Sequence, residues 1–406
     1  MKVTVLYPGS VLDRNGAAKV VRVFADKADS LSHLSGHEVN VIDSQPPKGR
    51  QLDHRNTKIS FTARLKKMIV CILGDNIKQK YRNSYWSQKK QVELIYWGRS
   101  KRIIEIIRSL GLKLNDGAFL FHETFTCWAY INTCLKENLS IGKYILILHS
   151  NGEPFKMLLY SYPALEGTSY LKEINKRHEE CLKNASFIVF VSDLSAKTFK
   201  KLYPEYSGKV RVVPNGISKE IYSSEPVFDG KLRMITVGTV CKRKNQIVLI
   251  DCLKDIREHG IDATLKIVGG GPDLDNCKQC AKDSGVEKWI EFLGPRDDIP
   301  ELLAKSNLFV LPSLDEGLPI SAIEAMRAKL PLVLTDVGGC SELIKGNGFL
   351  VNPIKEDITN AIIEYGKNVE KQKEMSKASY ELFMQQYTVD SMVKGYATLI
   401  KEMVTK

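Results

Sequence analysis

Short apolar runs alternate with helical segments along this chain, and the alternation occurs twice. In the first half the apolar runs predict strands at residues 3–7, 38–42, 118–121, 144–148 and 187–191, with a helix from about Ala17. In the second half they predict strands at residues 233–237, 264–268, 289–292, 308–311 and 332–334. Strands that alternate with helices form parallel sheets covered by helices. A chain of 406 residues is long enough for two such cores, so we expect two α/β domains.

The boundary between these domains is predicted near residues 213–216, where Val-Pro-Asn-Gly favours a turn and a polar connector follows up to Gly230. We therefore assign a first domain to residues 1–216 and a second to 217–385. The remaining residues, 386–406, are expected to form a helix that packs back on the first domain.

Several features favour a cytoplasmic location. The first residues run directly into an apolar strand, without the pattern of an export signal. The longest apolar runs are far shorter than the ~18 to 20 residues that span a bilayer. Nine cysteines are scattered in no dense framework, which fits a reducing compartment.

Basic residues are concentrated in the first half of the chain. The net charge is +12, and residues 1–216 hold 34 Lys and Arg against 19 Asp and Glu, whereas the rest holds 25 against 28. This asymmetry indicates an anionic partner, which is a membrane surface, a lipid phosphate or a nucleic acid. Composition does not choose among the three.

Most of the excess lies in residues 64–113, with 13 basic and 3 acidic side chains. Apolar residues recur there at the i, i+3, i+4, i+7, i+8 spacing of one helix face, and Lys66 and Lys67 lie off that face. Two interpretations remain open: a helix packed on the sheet with a solvated basic back, or docking on an anionic leaflet, peripheral to the membrane. The apolar residues are Leu65, Met68, Ile69, Ile72 and Leu73, and aromatic residues follow at Tyr81, Tyr85, Trp86, Tyr96 and Trp97.

Residues 311–326, LPSLDEGLPISAIEAM, carry the strongest functional signal. An apolar strand ends in a Gly/Pro loop that opens a helix, with Glu316 in the loop and Glu324 about one turn into the helix. Ligands of open α/β domains bind beyond the carboxyl ends of the strands, where helix N-termini offer free N–H groups to an anion. Two glutamates at this spacing are by themselves often solvated surface residues. The loop around them predicts a site instead.

This sequence resembles the glycosyltransferase family four, also called group-one glycosyltransferases, along nearly its whole length. The resemblance implies the GT-B fold, in which two Rossmann-like parallel-sheet domains face each other across a cleft, the first binding acceptor and the second the nucleotide sugar. Besides the EGLPISAIEAM loop, it rests on these segments: Gly16-Ala17-Ala18, Gly36-His37-Glu38-Val39, His149, Val213-Pro214-Asn215-Gly216, Val237-Gly238 leading to Lys244, Ile267-Val268-Gly269-Gly270-Gly271-Pro272, Phe292-Leu293-Gly294 and 331–339 (PLVLTDVGG).

The resemblance gives the loop residues roles in donor binding. Glu324 would accept hydrogen bonds from both ribose hydroxyls, as acidic residues do in other nucleotide sites. Glu316 would face the sugar as a catalytic residue, together with the N–H groups of Gly317 and Leu318. Pro319 lies in the same loop and is assigned to the substrate site with them.

The resemblance also implies phosphate-binding residues. Gly16 would let the backbone approach the pyrophosphate, although it equally fits an ordinary turn. Lys244 matches the phosphate-binding lysine and would stabilise the departing diphosphate. Alternatively, Lys244 belongs to a run of solvent-exposed basic residues, 242–244, without a role in binding. The arginine that the family commonly has after Gly238 is Thr239 here. Arg243 is assigned to the substrate site as the candidate source of the missing charge, but its position in the sequence does not itself support that replacement, which stays open.

Two histidines follow strands in the first half. His149 lies where the family keeps a histidine beside the donor sugar, so we assign it a catalytic role; a structural role capping loop carbonyls is the alternative. His122 is a weaker candidate for acceptor binding.

Two further features concern a metal and a turn. Asp273-Leu274-Asp275 superficially matches a D-x-D metal motif, but it opens a helix, where acidic residues are favoured without a metal. We therefore predict no metal ligand. Lys329 stands where the family often has a helix-ending glycine. Because a left-handed lysine would cost about 1 to 2 kcal/mol, we expect the turn to be adjusted locally.

The resemblance implies a retaining hexosyltransferase, independent of metal and cofactor, that uses a nucleotide-diphosphate sugar, predicted as a UDP-sugar. The acceptor would be a saccharide or lipid-linked saccharide in polysaccharide biosynthesis. An epimerase or hydrolase on the same fold is the alternative, although hydrolysis with two acids lacks an evident partner for the loop glutamate. A second alternative is a basic module that binds a membrane or a nucleic acid and has no enzymatic activity. No nucleic-acid partner is predicted, because no reader motif is present.

Overall fold

The computed structural model describes residues 1–13, 16–44, 75–220 and 225–405. They form two six-stranded parallel sheets with the orders β2-β1-β3-β4-β5-β6 and β12-β11-β10-β7-β8-β9. The strands of the first sheet are β1 Lys2–Leu6, β2 Glu38–Ile42, β3 Ala118–Phe121, β4 Lys143–Leu148, β5 Phe187–Phe190 and β6 Val210–Val212. Those of the second are β7 Leu232–Val237, β8 Ala263–Val268, β9 Ile290–Gly294, β10 Leu308–Leu311, β11 Leu332–Thr335 and β12 Gly348–Val351.

Helices cover both sheets. In the first domain they are α1 Gly16–Asp26, α2 Ala28–Ser35, α3 Asp75–Arg82, α4 Tyr85–Val92, α5 Gly98–Ser109, α6 Thr124–Lys136, α7 Lys156–Ser161, α8 Ser169–Asn184 and α9 Asp193–Leu202, with a π-helical turn, Glu93–Trp97, between α4 and α5. In the rest they are α10 Val248–Glu258, α11 Leu274–Asp283, α12 Ile299–Ala304, α13 Ile320–Arg327, α14 Lys355–Gly366, α15 Val369–Gln386 and α16 Val389–Thr405. None of these described helices is both long and apolar enough to cross a membrane.

The central strands explain why the sheets are parallel and enclosed. Every residue of β3, β5 and β10 is buried. A strand that is apolar on both faces needs a helical layer on each side, and parallel strands joined by crossover helices provide that arrangement. The prediction of two parallel-sheet α/β domains that face each other across a cleft is confirmed.

Two chain segments connect the domains and lie side by side. Ile217 donates its N–H to the carbonyl of Tyr387 at 3.0 Å and accepts from the N–H of Val389 at 2.9 Å. A Cβ atom on Gly216 would lie 2.2 Å from the carbonyl oxygen of Thr388. The outgoing and returning segments therefore pair as a short two-stranded crossing.

The last helix, α16, returns to the first domain. Tyr396 packs against Phe24 of α1 with ring centroids 4.7 Å apart. Lys143 at the start of β4 donates to the carbonyl of Val404 at 3.3 Å. The C-terminal helix thus covers the first sheet, although the chain that leads to it comes from the second.

The turn at Lys329 corrects one expectation. The residue keeps the left-handed conformation, with φ +60°, so the expected local adjustment is wrong. The N–H of Lys329 bonds to the carbonyl of Met326 at 3.0 Å, and that of Leu330 to Ala325 at 2.9 Å, the pair of bonds that closes a Schellman motif. The Lys329 ammonium also pairs with Glu225. These contacts offset the backbone cost.

Some sequence expectations differ from the observed elements or lie beyond them. Two short edge strands, β6 and β12, were not predicted. The amphipathic segment that contains Leu65, Met68, Ile69, Ile72 and Leu73 lies outside the described residues, and so do Lys66 and Lys67.

Candidate active site

The candidate site lies where the carboxyl ends of β4 and β10 approach each other across the cleft. A Cβ atom on Gly317, in the loop after β10, would lie 2.4 Å from the carbonyl oxygen of His149, which follows β4. A side chain would hold the domains apart there, so glycine is required for this close approach. The loops that carry the predicted residues from each domain are thus neighbours.

Lys244 and Glu316 form a buried ion pair at the centre of the site. The Lys244 ammonium donates to Glu316 Oε1 at 2.5 Å, and the Ser313 hydroxyl donates to the same oxygen at 2.6 Å. The side chains of Lys244 and Glu316 are 11% and 6% exposed. Two loops are tied together here, because the N–H of Leu314 bonds to the carbonyl of Arg243 at 2.7 Å.

The glutamate is held as a carboxylate. Burial alone would raise the pKa of Glu316, but the positive charges of Lys244 and Arg243 outweigh it and the pKa is lowered overall. The neighbouring Asp315 behaves differently, since burial raises its pKa to about 6. Asp315 Oδ2 is buried and has no hydrogen-bond partner among the described residues.

Arg243 lies beside this pair rather than in solvent. Its guanidinium donates to the carbonyl of Asp315 at 2.6 Å and lies 3.5 Å from Glu316 Oε2. Thr239, which stands where the family commonly has arginine, is exposed. Two cations, Lys244 and Arg243, therefore share one carboxylate, and both are close enough to bind an anion together.

Glu324 lies on α13 with one of its carboxylate oxygens free. Oε1 accepts a hydrogen bond from the Lys19 ammonium of α1, in the other domain. Oε2 is buried without a described hydrogen-bond partner. A buried acceptor without a donor is energetically unfavourable, and a ligand hydroxyl would remove that cost.

The helix starts on each side of the cleft offer backbone donors. The N–H groups of Gly317 and Leu318 form no hydrogen bond with any described residue, and Pro319 precedes α13 directly. Gly16 begins α1 on the opposite side, and a Cβ atom placed there would lie 3.6 Å from Ile320. A side chain at that position would occupy part of the gap between the two helix starts.

His149 and His122 contact each other. Their Nε2 and Nδ1 atoms are 3.1 Å apart, and the rings stack with centroids 5.4 Å apart. Burial lowers the pKa of His149 to about 4 and that of His122 well below its ordinary value, so both are neutral at pH 7. His122 Nε2 is buried without a described partner. A buried N–H without an acceptor is the costlier defect, which favours the tautomer in which His122 donates from Nδ1.

Asp273 and Asp275 lie at the start of α11, as the sequence indicated. In the described part of the chain no three His, Cys, Asp or Glu side chains lie together as possible metal ligands.

Sequence reasoning missed three residues of this site: Lys19, Ser313 and Asp315. Ser313 and Asp315 lie inside the motif that was recognised, so their positions flanking Glu316 were a usable signal. Lys19 is 305 residues from its partner Glu324, and no local pattern marks it.

Comparisons with known proteins identify glycosyltransferases that are similar to this chain. Residues 218–382 match the family model for glycosyl transferases group 1. The UDP-Gal:alpha-D-GlcNAc-diphosphoundecaprenol alpha-1,3-galactosyltransferase of Escherichia coli is 32% identical over 168 residues, 37% of this chain and 43% of that enzyme. An uncharacterized glycosyltransferase of Methanocaldococcus jannaschii is 26% identical over 305 residues, 73% of this chain and 78% of that protein.

Solved structures extend the match to the first domain. The crystal structure of Anabaena HepE in complex with UDP superposes on 99% of this chain and 100% of that chain, with a TM-score of 0.65 and 18% identity. At this identity the superposition establishes the fold. Residues 218–382 are therefore similar to the group 1 glycosyl transferases, and the two domains, as far as the structure describes them, have the GT-B fold.

Proposed function

We propose that this protein is a retaining glycosyltransferase that moves a hexosyl group from a nucleotide-diphosphate sugar to a saccharide or lipid-linked saccharide. The observation that carries this proposal is the buried cluster of Lys244, Arg243 and Glu316, which lies next to the close contact between Gly317 and His149 of the other domain. It offers two cations and free backbone N–H groups to a diphosphate. We propose UDP as the nucleotide of the donor, because the name of the Escherichia coli relative includes UDP-Gal and HepE was crystallised in complex with UDP.

The donor is proposed to lie along the start of α13. Its ribose hydroxyls would donate to Glu324, whose Oε2 lacks a described partner. The diphosphate would contact the N–H groups of Gly317 and Leu318 and the ammonium of Lys244. Bound in this way, the nucleotide displaces Lys19 from Glu324 and leaves the sugar near His149.

In the proposed reaction the bond between the sugar C1 and the diphosphate oxygen breaks while a bond from C1 to the acceptor oxygen forms on the same face. The acceptor proton passes to an oxygen of the departing diphosphate. Negative charge grows on that diphosphate in the transition state, so the fixed charges of Lys244 and Arg243 stabilise it more than the ground state. These two cations supply the charge that a metal ion supplies elsewhere, and we propose that neither a metal nor a further cofactor is needed.

His149 is proposed to orient the sugar. With His122 donating to its Nε2, His149 carries its proton on Nδ1 and stays neutral at pH 7, because burial lowers its pKa to about 4. A neutral imidazole donates to a sugar hydroxyl without adding a positive charge next to the reacting C1.

A panel of UDP-, GDP- and ADP-sugars, each measured with and without acceptor, tests this proposal. Transfer to acceptor, dependent on Glu324 and Lys244, is expected from one nucleotide class. Release of free sugar at the same rate without acceptor would instead identify a hydrolase, and a changed sugar on intact nucleotide would identify an epimerase.

We also propose that the first domain docks on an anionic membrane surface. The docking face comprises Tyr81, Trp86, Lys89, Lys90, Leu94 and Ile95. Trp86 and Leu94 are 72% and 65% exposed, Lys90 is exposed on the same helix as Trp86, and Lys89 is partly exposed and forms an ion pair with Glu93. Apolar side chains that insert among basic ones are the usual composition of peripheral membrane surfaces.

Co-sedimentation with vesicles tests the docking face. Binding is expected to need anionic lipid, to weaken with salt, and to fall in a Lys89→Glu/Lys90→Glu variant. Lys200→Glu/Lys201→Glu, which makes the same charge change on α9, is the matched control. Equal binding by both double variants, or none by the wild type at low salt, would refute docking through this face.

A further inference from the structure

A cavity of about 480 Å³ lies in the first domain and extends to the candidate site. Its lining includes His149 and Arg243 of that site, and Ile95, Tyr96 and Arg99 from the π-helical turn and the start of α5. A volume of this size matches sites for small-molecule ligands, which are mostly apolar with a few polar groups. The cavity therefore adjoins the position of the donor sugar and has room for a second substrate.

Aromatic and aliphatic side chains form much of the cavity wall. Phe125 contacts both Tyr96, with centroids 4.8 Å apart, and Phe155, at 6.0 Å. Met157 and Leu158 line the same space. Phe155 has a left-handed backbone with φ +62°, which a bulky side chain rarely adopts. Backbone strain of this kind concentrates at functional sites, and here it accompanies a ring on the cavity wall.

The π-helical turn Glu93–Trp97 is a second local irregularity at the cavity. Such turns interrupt an α-helix by inserting one extra residue, and they occur frequently at functional sites. This one joins α4 to α5 and carries Ile95 and Tyr96, with Arg99 in the next turn.

The charged groups of the cavity differ in what already binds them. Glu123 caps α6, accepting from the N–H groups of Phe125 and Thr126 at 2.6 Å each. Arg243 is engaged by Asp315 and Glu316. Arg99 is exposed and forms no ion pair with any carboxylate in the described ranges. It is thus the cavity cation available to an anion.

The cavity is also continuous with the docking face. Ile95 lines the cavity and is 37% exposed, and Leu94 of the docking face precedes it. Because Ile95 belongs to both surfaces, an apolar tail that left the cavity past Ile95 would reach the docking face. An occupant that combines a sugar, an anion and an apolar tail satisfies all three parts of this surface.

We propose that this cavity binds the acceptor as a saccharide joined through phosphate to a lipid, with Arg99 pairing with the phosphate and the tail leaving past Ile95 towards the membrane. This inference rests on the proposed transferase function and names the substrate class of its acceptor. The guanidinium suits the role because it binds phosphate oxygens in a bidentate manner. Arg99 then selects the lipid-linked acceptor over a free saccharide.

Calorimetric titration of the UDP-saturated protein with decyl phosphate, octyl glucoside and inorganic phosphate tests the role of Arg99. Decyl phosphate is expected to bind the wild type and to bind Arg99→Ala about tenfold or more weakly, the size of one lost charge-assisted contact. Octyl glucoside should bind both proteins equally. Arg102→Ala, on the same helix but outside the cavity, is the control and should match the wild type.

The remaining outcomes separate the sources of failure. Equal binding of decyl phosphate by Arg99→Ala and wild type, in folded proteins, refutes the inference. Binding of inorganic phosphate alone as tightly as decyl phosphate also refutes it, because the site would then recognise free phosphate. If UDP itself fails to bind the wild type, the proposed function fails, whereas an intact UDP response with no Arg99 effect overturns only the acceptor class. Arg99→Lys, which keeps the charge, is expected to bind decyl phosphate with intermediate affinity.

Discussion

Removing the Lys244 ammonium is the most direct perturbation of the proposed chemistry. The ammonium is 2.5 Å from Glu316 Oε1, and both side chains are nearly buried. If it stabilises the departing diphosphate, Lys244→Ala should slow transfer by about 100- to 1000-fold, the equivalent of about 2.7 to 4 kcal/mol in the barrier. The assay is the initial rate of acceptor-dependent UDP release at saturating donor.

Stability must be separated from this kinetic effect. A broken buried ion pair costs about 3 to 5 kcal/mol when one charge is left uncompensated. Glu316 keeps the Ser313 hydroxyl and, at 3.5 Å, the Arg243 guanidinium, so the loss in Lys244→Ala should be at or below about 3 kcal/mol, the lower end of that range. Thermal unfolding measures it. Lys242→Ala, an exposed neighbour in the same basic run, should leave both rate and stability unchanged.

Repeating Lys244→Ala in a Glu316→Gln variant distinguishes two roles of Lys244: binding the diphosphate itself, or only holding the Glu316 carboxylate in place. Glu316→Gln removes the charge that Lys244 neutralises but keeps the side-chain shape. If Lys244 acts on the diphosphate, Lys244→Ala still slows transfer in the Glu316→Gln background. Transfer within about threefold of wild type in folded Lys244→Ala, or loss of its effect in the Gln background, would refute the reasoning, since either leaves the barrier contribution below about 1 kcal/mol.

Four further outcomes are expected. Glu324→Ala should weaken UDP binding and abolish the preference for UDP over 2′-deoxy-UDP in competition assays, and a retained preference would contradict ribose binding. Arg243→Ala should resemble Lys244→Ala, whereas unchanged donor affinity and rate would place Arg243 outside the donor site. EDTA-treated and untreated wild-type protein should turn over equally, and a strict Mn²⁺ or Mg²⁺ requirement would overturn metal independence. Because burial lowers the pKa of His149 from 6.5 to about 4, the imidazole takes up a proton at higher pH in the unfolded state than in the folded state. The free energy of unfolding should therefore decrease as the pH falls from 6.5 towards 4. Urea unfolding of His149→Asn, compared with the wild type over the same pH range, should show a smaller decrease.

The sequence predicted the sheets well because their central strands carry the pattern directly. Residues 118–121 and 308–311 are continuous apolar runs, and both are wholly buried strands with the predicted bounds. The edge strands gave no such signal. Val210–Val212 has only three residues, and every residue of Gly348–Val351 is only partly buried, so neither required a long apolar run.

The sequence predicted those site residues that lie close together along the chain, and it missed a contact between residues that lie far apart. Glu316 and Glu324 share one loop and helix, so their common crevice followed from spacing. Lys19 reaches Glu324 from the other domain, and a pairing over 305 residues has no local trace. The left-handed Lys329 was missed because backbone propensity disfavours it. The Schellman hydrogen bonds and the contacts of its side chain with Glu225 and Tyr380 offset that cost.

The paired crossing of the two connecting segments restricts how the enzyme can open. Two segments bonded side by side at Ile217 leave rotation about one line as the easy motion and oppose sliding of one domain along the other. Gly216→Ala would place a Cβ 2.2 Å from the Thr388 carbonyl oxygen and force the two connecting segments apart. This should change the radius of gyration measured by X-ray scattering and lower kcat, while the affinity for UDP is kept. An unchanged scattering profile together with an unchanged kcat would contradict this restriction. With a single axis, each closure returns the two halves of the site to the same alignment. The alignment of the two substrates is then determined by the paired backbone at Ile217, Tyr387 and Val389, and not only by the residues that contact the substrates.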